Sequence, residues 1–169
     1  NNAKLVSIEP LKSNLHGSKN AYAYAIKWNE YYSPKVLHRL QEKGIKTKVA
    51  SKVFKMLINS KEEAFDYGTI VIPSGIQSIG GEALESVIKE AIAETGVDAY
   101  ALPSGFAADG IDIGSNSFVH LKKPAVMMFG GVGTSATDVG EIWHLMDTRF
   151  NVPVSIVDVD RFGSINADR

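Results

Sequence analysis

The stretch that most restricts the fold of this chain is a glycine-rich loop set between an apolar run and an amphipathic helix. Ala125 to Phe129 is a short, continuous apolar run of the kind a buried parallel strand shows. It ends in Gly130-Gly131-Val132-Gly133-Thr134-Ser135, a loop with little side chain and many backbone N–H groups. Beyond the loop, Val139, Ile142, Trp143, Leu145 and Met146 fall on one face of a helix over 137–149. Thr137 or Asp138 is placed to cap that helix, and Glu141 lies in its first turn, where a negative charge suits the dipole. Asn151 can close it in a left-handed conformation, and residues 153–158 read as a second buried strand. The spacing therefore predicts a strand–loop–helix–strand unit with a right-handed crossover.

A glycine loop at the carboxyl end of a strand, opening a helix, is where α/β proteins hold anions and cofactors. Gly131-x-Gly133-x-x-Ala136 fits the dinucleotide fingerprint, and Asp158 lies at the spacing from which an acidic residue meets a ribose hydroxyl. The same glycines also serve any tight strand-to-helix turn, and both readings stay open. Gly131, Gly133, Thr134 and Ser135 are the candidate ligand-binding residues, with a small anion as the candidate ligand. The P-loop pattern is not met, because no Lys follows the glycines.

The chain has 169 residues, enough for one substantial core and a second half-domain. A formal net charge of −1 gives no electrostatic footprint for nucleic acid or an anionic membrane. There is no cysteine, which excludes disulfides, thiolate metal sites and a cysteine nucleophile together. No apolar run reaches the roughly 18 residues a spanning helix requires, and the N-terminus carries no signal-peptide apolar region.

Residues 1–20 read as a lead-in with a short edge strand at Lys4–Ile8. Residues 21–28 (AYAYAIKW) have strand character. Ser33-Pro34 then offers an N-cap and an N1 proline to a helix lined by Val36, Leu37 and Leu40 and stopped by Gly44. Strands are expected at 45–50, 69–72 and 98–102, with a helix over 82–94 carrying Leu84, Val87, Ile88, Ala91 and Ile92 at helical spacing. Residues 51–67 are too apolar for a plain loop and are expected as a short helix or irregular cover on the sheet. Residues 106–123 read as the longest loop. Two echoes recur: IVIPSG and YALPSG at strand ends, and LHRLQEKGIKTKVA (37–50) against WHLMDTRFNVPVSIV (143–157). The second fits either an old duplication or two similar α/β units.

Ser74 and Ser104 sit at strand ends, but neither has the flanking glycines of a nucleophile elbow, and Pro-Ser-Gly reads as a strand-ending turn. The histidines, His16, His38, His120 and His144, fall on different predicted elements. Glu141 and His144 share a helical face without further ligands, so no metal site is expected. Asp147, Asp158 and Asp160 read as solvated charge. Asp109 to Ser115 reads as a connection turned by its glycines, with a pocket lining beside the Gly130–Ser135 loop as the alternative.

The stretch FGGVGTSATDVGEIWHLMDTRFNVPVSIVDVDRF, together with DGIDIGSNSFVHLKKPAVMMF and YAYAIKWNEYYSPKVLHRLQEKGIKTKVA, resembles the C-terminal region of large bacterial zinc carboxypeptidases. In that family a signal peptide and a metallocarboxypeptidase catalytic domain come first. A region similar to class I glutamine amidotransferases follows. The resemblance runs over residues 20–169 and covers none of the catalytic domain: there is no HxxE pair with a distant second His, no substrate-carboxylate Arg motif and no catalytic Glu. It implies a secreted or periplasmic protein that hydrolyses peptides, with zinc only in a catalytic domain outside this chain. Amidotransferase chemistry needs a Cys nucleophile, which this chain lacks. The resemblance thus implies a non-catalytic accessory domain, binding a partner or small ligand, whose first partner is the peptidase domain of the same polypeptide. It implies no catalytic residue, cofactor or metal in the chain itself.

The fold expected is an α/β, flavodoxin-like, doubly wound and mainly parallel sheet with helices on both faces, of strand order 2-1-3-4-5. Its domain would span 21–129, after a lead-in at 1–20, with a further helix–strand unit at 130–169 that the chain end cuts short. The alternative function is a nucleotide- or phosphate-binding α/β domain using the Gly130–Ser135 loop. A serine hydrolase built on Ser74 or Ser104 is a third.

Overall fold

The computed structural model describes residues 11–165, so the expected edge strand at Lys4–Ile8 lies outside the described residues. The chain divides into two units between Leu121 and Lys122. The first unit runs β1 (Leu15–His16), β2 (Ala23–Ile26), α1 (Ser33–Glu42), β3 (Thr47–Ala50), β4 (Phe54–Ile58), β5 (Lys61–Phe65) and β6 (Ile70–Pro73). It continues with α2 (Gly81–Ile92), β7 (Ala99–Leu102), β8 (Asp109–Gly110) and β9 (Phe118–Leu121). The strands and helices foreseen over 21–50 and 69–102 are all present, with ends shifted by up to two residues.

Six strands make one sheet in the order β1-β7-β2-β6-β3-β9. Strands β2, β3, β6 and β7, with α1 and α2, follow a β-α-β-β-α-β path whose spatial order is fourth, first, third, second. This is the split, ferredoxin-like arrangement. β2 lies between β6 and β7, antiparallel to both, and β6 separates β2 from β3. The mainly parallel sheet of order 2-1-3-4-5 is therefore replaced by a mostly antiparallel one. Each helix still connects two parallel strands, but a strand of the other half is inserted between them.

Alternation along the strands gives the layers. Tyr24 and Ile26 of β2 and Ile70 and Ile72 of β6 face Val36 and Leu40 of α1 and Leu84 and Ile88 of α2. Ala23, Ala25 and Val71 point the other way, onto Phe54, Met56, Ile58 and Phe65. Helices thus cover one face only, and the second face is covered by a three-stranded sheet of order β5-β4-β8. That second cover explains the parallel expectation. Strands buried on both faces read as continuous apolar runs whatever their direction, and β2 and β6 are buried at every residue.

Residues 51–67 do cover the sheet, as a hairpin rather than a helix. β4 and β5 pair from Phe54↔Phe65 to Ile58↔Lys61, so the loop is Asn59-Ser60, both with positive φ (50° and 63°) as a type I′ turn requires. The connection 106–123 also holds structure. β8 pairs with β4, and β9 extends the large sheet beside β3. In α1 the cap expected from Ser33 is absent. Ser33 is buried, and its hydroxyl donates to the Lys27 carbonyl at 2.7 Å. Gly44, at φ +73°, ends that helix turn as foreseen.

The second unit contains β10 (Val126–Gly130), α3 (Ala136–His144), a π-helical turn over Leu145–Phe150, and β11 (Val154–Asp158). β10 and β11 pair in parallel along their whole length, from Val126↔Val154 to Gly130↔Asp158. The strand–loop–helix–strand order holds here, and Asn151 takes φ 56° after the last turn, but neither strand is buried as expected: Met127, Phe129 and Ile156 are exposed. The unit begins at Lys122 instead of 130, because β10 finds its partner in β11. The similar segments 37–50 and 143–157 are both a helix end followed by a strand. In the first unit, however, β6 separates the strands that α1 joins, whereas β10 and β11 are direct neighbours.

Candidate functional site

The structure brings the four sequence-derived loop residues together at the start of α3. Gly131 and Gly133 hold φ of +95° and +86°, a region that side chains with a Cβ rarely enter. Thr134 closes the turn, its N–H donating to the Gly131 carbonyl at 3.2 Å and its hydroxyl to the same oxygen at 2.8 Å. Ser135 is the N-cap, accepting from the Asp138 N–H at 3.3 Å, in place of the expected Thr137 or Asp138. The register of the parallel pair sets Asp158 directly opposite Gly130. Its carboxylate lies against Gly131, so that a Cβ there would fall 2.9 Å from Oδ1. Asp158 Oδ1 also accepts the Asp160 N–H at 3.1 Å. The loop is solvent-exposed, and its Thr134 donors and Ser135 acceptor serve the turn itself. A carboxylate beside it opposes a bare anion and suits a ligand that also offers hydroxyl donors.

Other sequence candidates have structural duties. The Ser74 hydroxyl donates to the Ala21 carbonyl at 2.7 Å, and Ser104 bonds the backbone of Phe106. Pro-Ser-Gly is a strand-ending turn in both places. β6 and β7, which carry the two copies, end level with each other on either side of Ala23. Asp112 accepts the Ala107 N–H at 2.8 Å, and Gly110 turns the connection at φ +89°. Among the described residues no three His, Asp or Glu side chains are grouped so as to hold a metal ion. No described helix is long and apolar enough to cross a membrane.

Two sites on the first unit had no signal in the sequence. One is a charged cluster at the β1–β7 edge. Asp98 takes the Asn14 N–H at 2.7 Å and the Asn14 Nδ2 at 3.2 Å, and lies 2.7 Å from His16 Nε2. Burial pushes its pKa up, but His16 and the two Asn14 donors outweigh it and hold the carboxyl below its ordinary 3.8. The His16 ring stacks on Tyr100 at 5.0 Å. Lys27 reaches over Tyr100, 5.1 Å from the ring centre, and pairs with Glu63 at 2.5 Å. Burial works against the Lys27 ammonium, yet Glu63 and Tyr100 more than offset it and the net shift is upward.

The other is a groove of about 680 Å³ on the β4–β5–β8 side, bordered by Lys27, Trp28, Lys55, Asp66, Tyr67 and Asp109. Its volume falls within the roughly 300–1,000 Å³ of small-molecule sites. Buried Phe54 and Phe65, stacked at 4.9 Å, lie beneath it. Residues 66–69 form a turn, with Thr69 N–H donating to the Asp66 carbonyl and Gly68 at φ +84°. That turn presents Tyr67, which is 71% exposed, while Trp28 lies against Gly68.

No protein-family model, curated protein or solved structure matches the chain.

Proposed function

We propose that this chain is a non-catalytic accessory domain, binding a small ligand or partner, of an exported zinc carboxypeptidase that hydrolyses peptides. What supports it is the reach of the segments of resemblance over elements of both units. Residues 22–50 are β2, α1 and β3; residues 109–129 are β8, β9 and most of β10; residues 129–162 are the glycine loop, α3 and β11. Amidotransferase-like chemistry is closed to a chain without cysteine, which leaves binding as the role for such a region. In this reading zinc and the peptidase residues belong to the catalytic domain of the same polypeptide, and the protein is secreted or periplasmic. The test is the parent protein. Its coding sequence should place an HxxE…H zinc domain ahead of this segment, and chelation should abolish its release of C-terminal residues. The isolated chain should release none. A parent lacking those ligands, or peptide hydrolysis by the chain alone, removes the proposal.

A second reading, a nucleotide- or phosphate-binding domain, is favoured by one observation: Asp158 stands in register beside the glycine loop, where an acidic residue would take ribose hydroxyls. The loop N–H groups would then serve the phosphates. Thermal unfolding with NAD, NADP, ATP and flavins separates the readings. A ligand at about 100 times its dissociation constant adds about 2.7 kcal/mol. No shift with any of them removes the nucleotide reading and leaves the accessory one standing.

A further inference from the structure

The geometry points to a site for an organic cation, a guanidinium or alkylammonium group, in the groove between Trp28 and the Asp66–Thr69 turn. This goes beyond the accessory reading and does not depend on the glycine loop, which belongs to the other unit.

Three observations converge on it. First, the groove exposes two large aromatic residues that a stable core would bury: Trp28 is 42% and Tyr67 is 71% exposed. Trp28 lies against Gly68, where an added Cβ would stand 3.5 Å from its own Cβ, and the turn that carries Tyr67 is held by the Tyr67 N–H, which donates to Asp66 Oδ1 at 2.8 Å. Second, the charged residues of the lining are Lys27, Lys55, Asp66 and Asp109. Both lysines are already paired, Lys27 with Glu63 at 2.5 Å, and Lys55 with Glu62 at 3.0 Å and Asp109 at 3.7 Å. Asp66 accepts the Tyr67 N–H and has no ion pair among the described residues, so its charge is left to attract an entering cation. Third, the same wall already uses cation–aromatic attraction. Lys27 Nζ sits 5.6 Å from the Phe65 ring centre and 5.1 Å from that of Tyr100. Trp and Tyr rings attract cations in the same way, Trp most strongly. Trp28 and Tyr67 supply the rings, and Asp66 supplies the counter-charge between them in the lining.

The chain has two tryptophans, so Trp143→Phe leaves Trp28 as the sole tryptophan reporter. That protein is titrated with N-acetyl-arginine amide, with its neutral citrulline counterpart, with agmatine, with a Gly-Gly-Arg-Gly-Gly peptide and with chitotriose. The arginine amide should give a saturable change below about 10 mM, weakened by salt, while citrulline and chitotriose give none. Asp66→Asn keeps the Oδ1 acceptor for Tyr67 N–H and should weaken binding at least about tenfold. Tyr67→Ala, whose side chain is largely exposed, should do the same without moving the urea midpoint. A peptide bound about tenfold more tightly than agmatine identifies a chain-borne cation, and equal binding a small free one. The proposal is overturned if citrulline binds as well as arginine, if chitotriose alone saturates the signal, or if no cation saturates. Unchanged affinity in both folded variants overturns it too.

Discussion

At Asp98 one carboxylate ties the short β1 segment to the edge of the sheet, through both donors of Asn14 and through His16. Its folded pKa lies below the ordinary 3.8. The stabilisation is thus complete above that value and lost as the pH falls through the lower, folded one. Asp98→Asn should lower the urea midpoint at pH 7 by an amount equivalent to about 1 kcal/mol, and the gap to the parent should narrow below about pH 4. A gap that stays constant down to about pH 2 would assign the effect to something other than the charge. In the glycine loop, Ser135→Ala should cost no more than about 1 kcal/mol, since it removes one long capping bond. Gly131→Val should cost more, about 1–3 kcal/mol, because φ is +95° and the new Cβ meets the Asp158 carboxylate. Denaturation of a Trp28→Phe background followed by Trp143 fluorescence measures both, and equal costs would mean that Gly131 has freedom to leave its positive φ. The glycines and the helix they open were legible because the device is local, whereas the cap fell on Ser135 instead of Thr137 or Asp138.

The β4–β5 hairpin was legible only in part. Phe54, Met56 and Ile58 alternate inward, but Leu57 adds an apolar residue on the exposed side, and the run then resembles a helix as much as a strand. Asn59-Ser60 is a two-residue loop without the glycine that would have announced it. Ser60→Gly should relieve the positive φ and raise stability by about 0.5 kcal/mol, while Phe65→Ala should lose about 3–5 kcal/mol by emptying the core beneath the groove. Equilibrium urea titrations give both values. Phe65→Ala tolerated within about 1 kcal/mol would show that the hairpin does not pack on the sheet as described. The groove was not legible at all. Trp28 and Tyr67 are far apart in the chain and border one groove only because β2 and β6 run antiparallel in this register. His16 and Asp98 are separated by 82 residues and meet through the β1–β7 pairing.

In the first unit β2, β3, β6 and β7 and both helices were legible in order, but not the strands at 15–16, 54–65 and 109–121, nor the topology. Apolar runs and helix stops give the elements, whereas strand direction depends on which partner arrives beside each strand. β2 is the clearest case. It sits at the middle of the sheet, and its two neighbours are made from residues 70–73 and 99–102. A fragment ending at Glu94 keeps both helices and the β4–β5 hairpin but leaves one edge of β2 without its β7 partner. Such a fragment should aggregate, while residues 1–121 should stay soluble and give a cooperative transition by circular dichroism. A soluble, cooperatively folded 1–94 fragment would contradict this. The order of synthesis then becomes a physical hazard. On a ribosome adding about 5–20 residues per second, β2 emerges several seconds before the strand that shields it, holding an open, sticky edge. The nascent chain therefore needs either a holding chaperone or a hairpin that closes early, and β4–β5, the one pairing complete without distant sequence in that half, is placed to fold first and cover the exposed face while the rest is still being made.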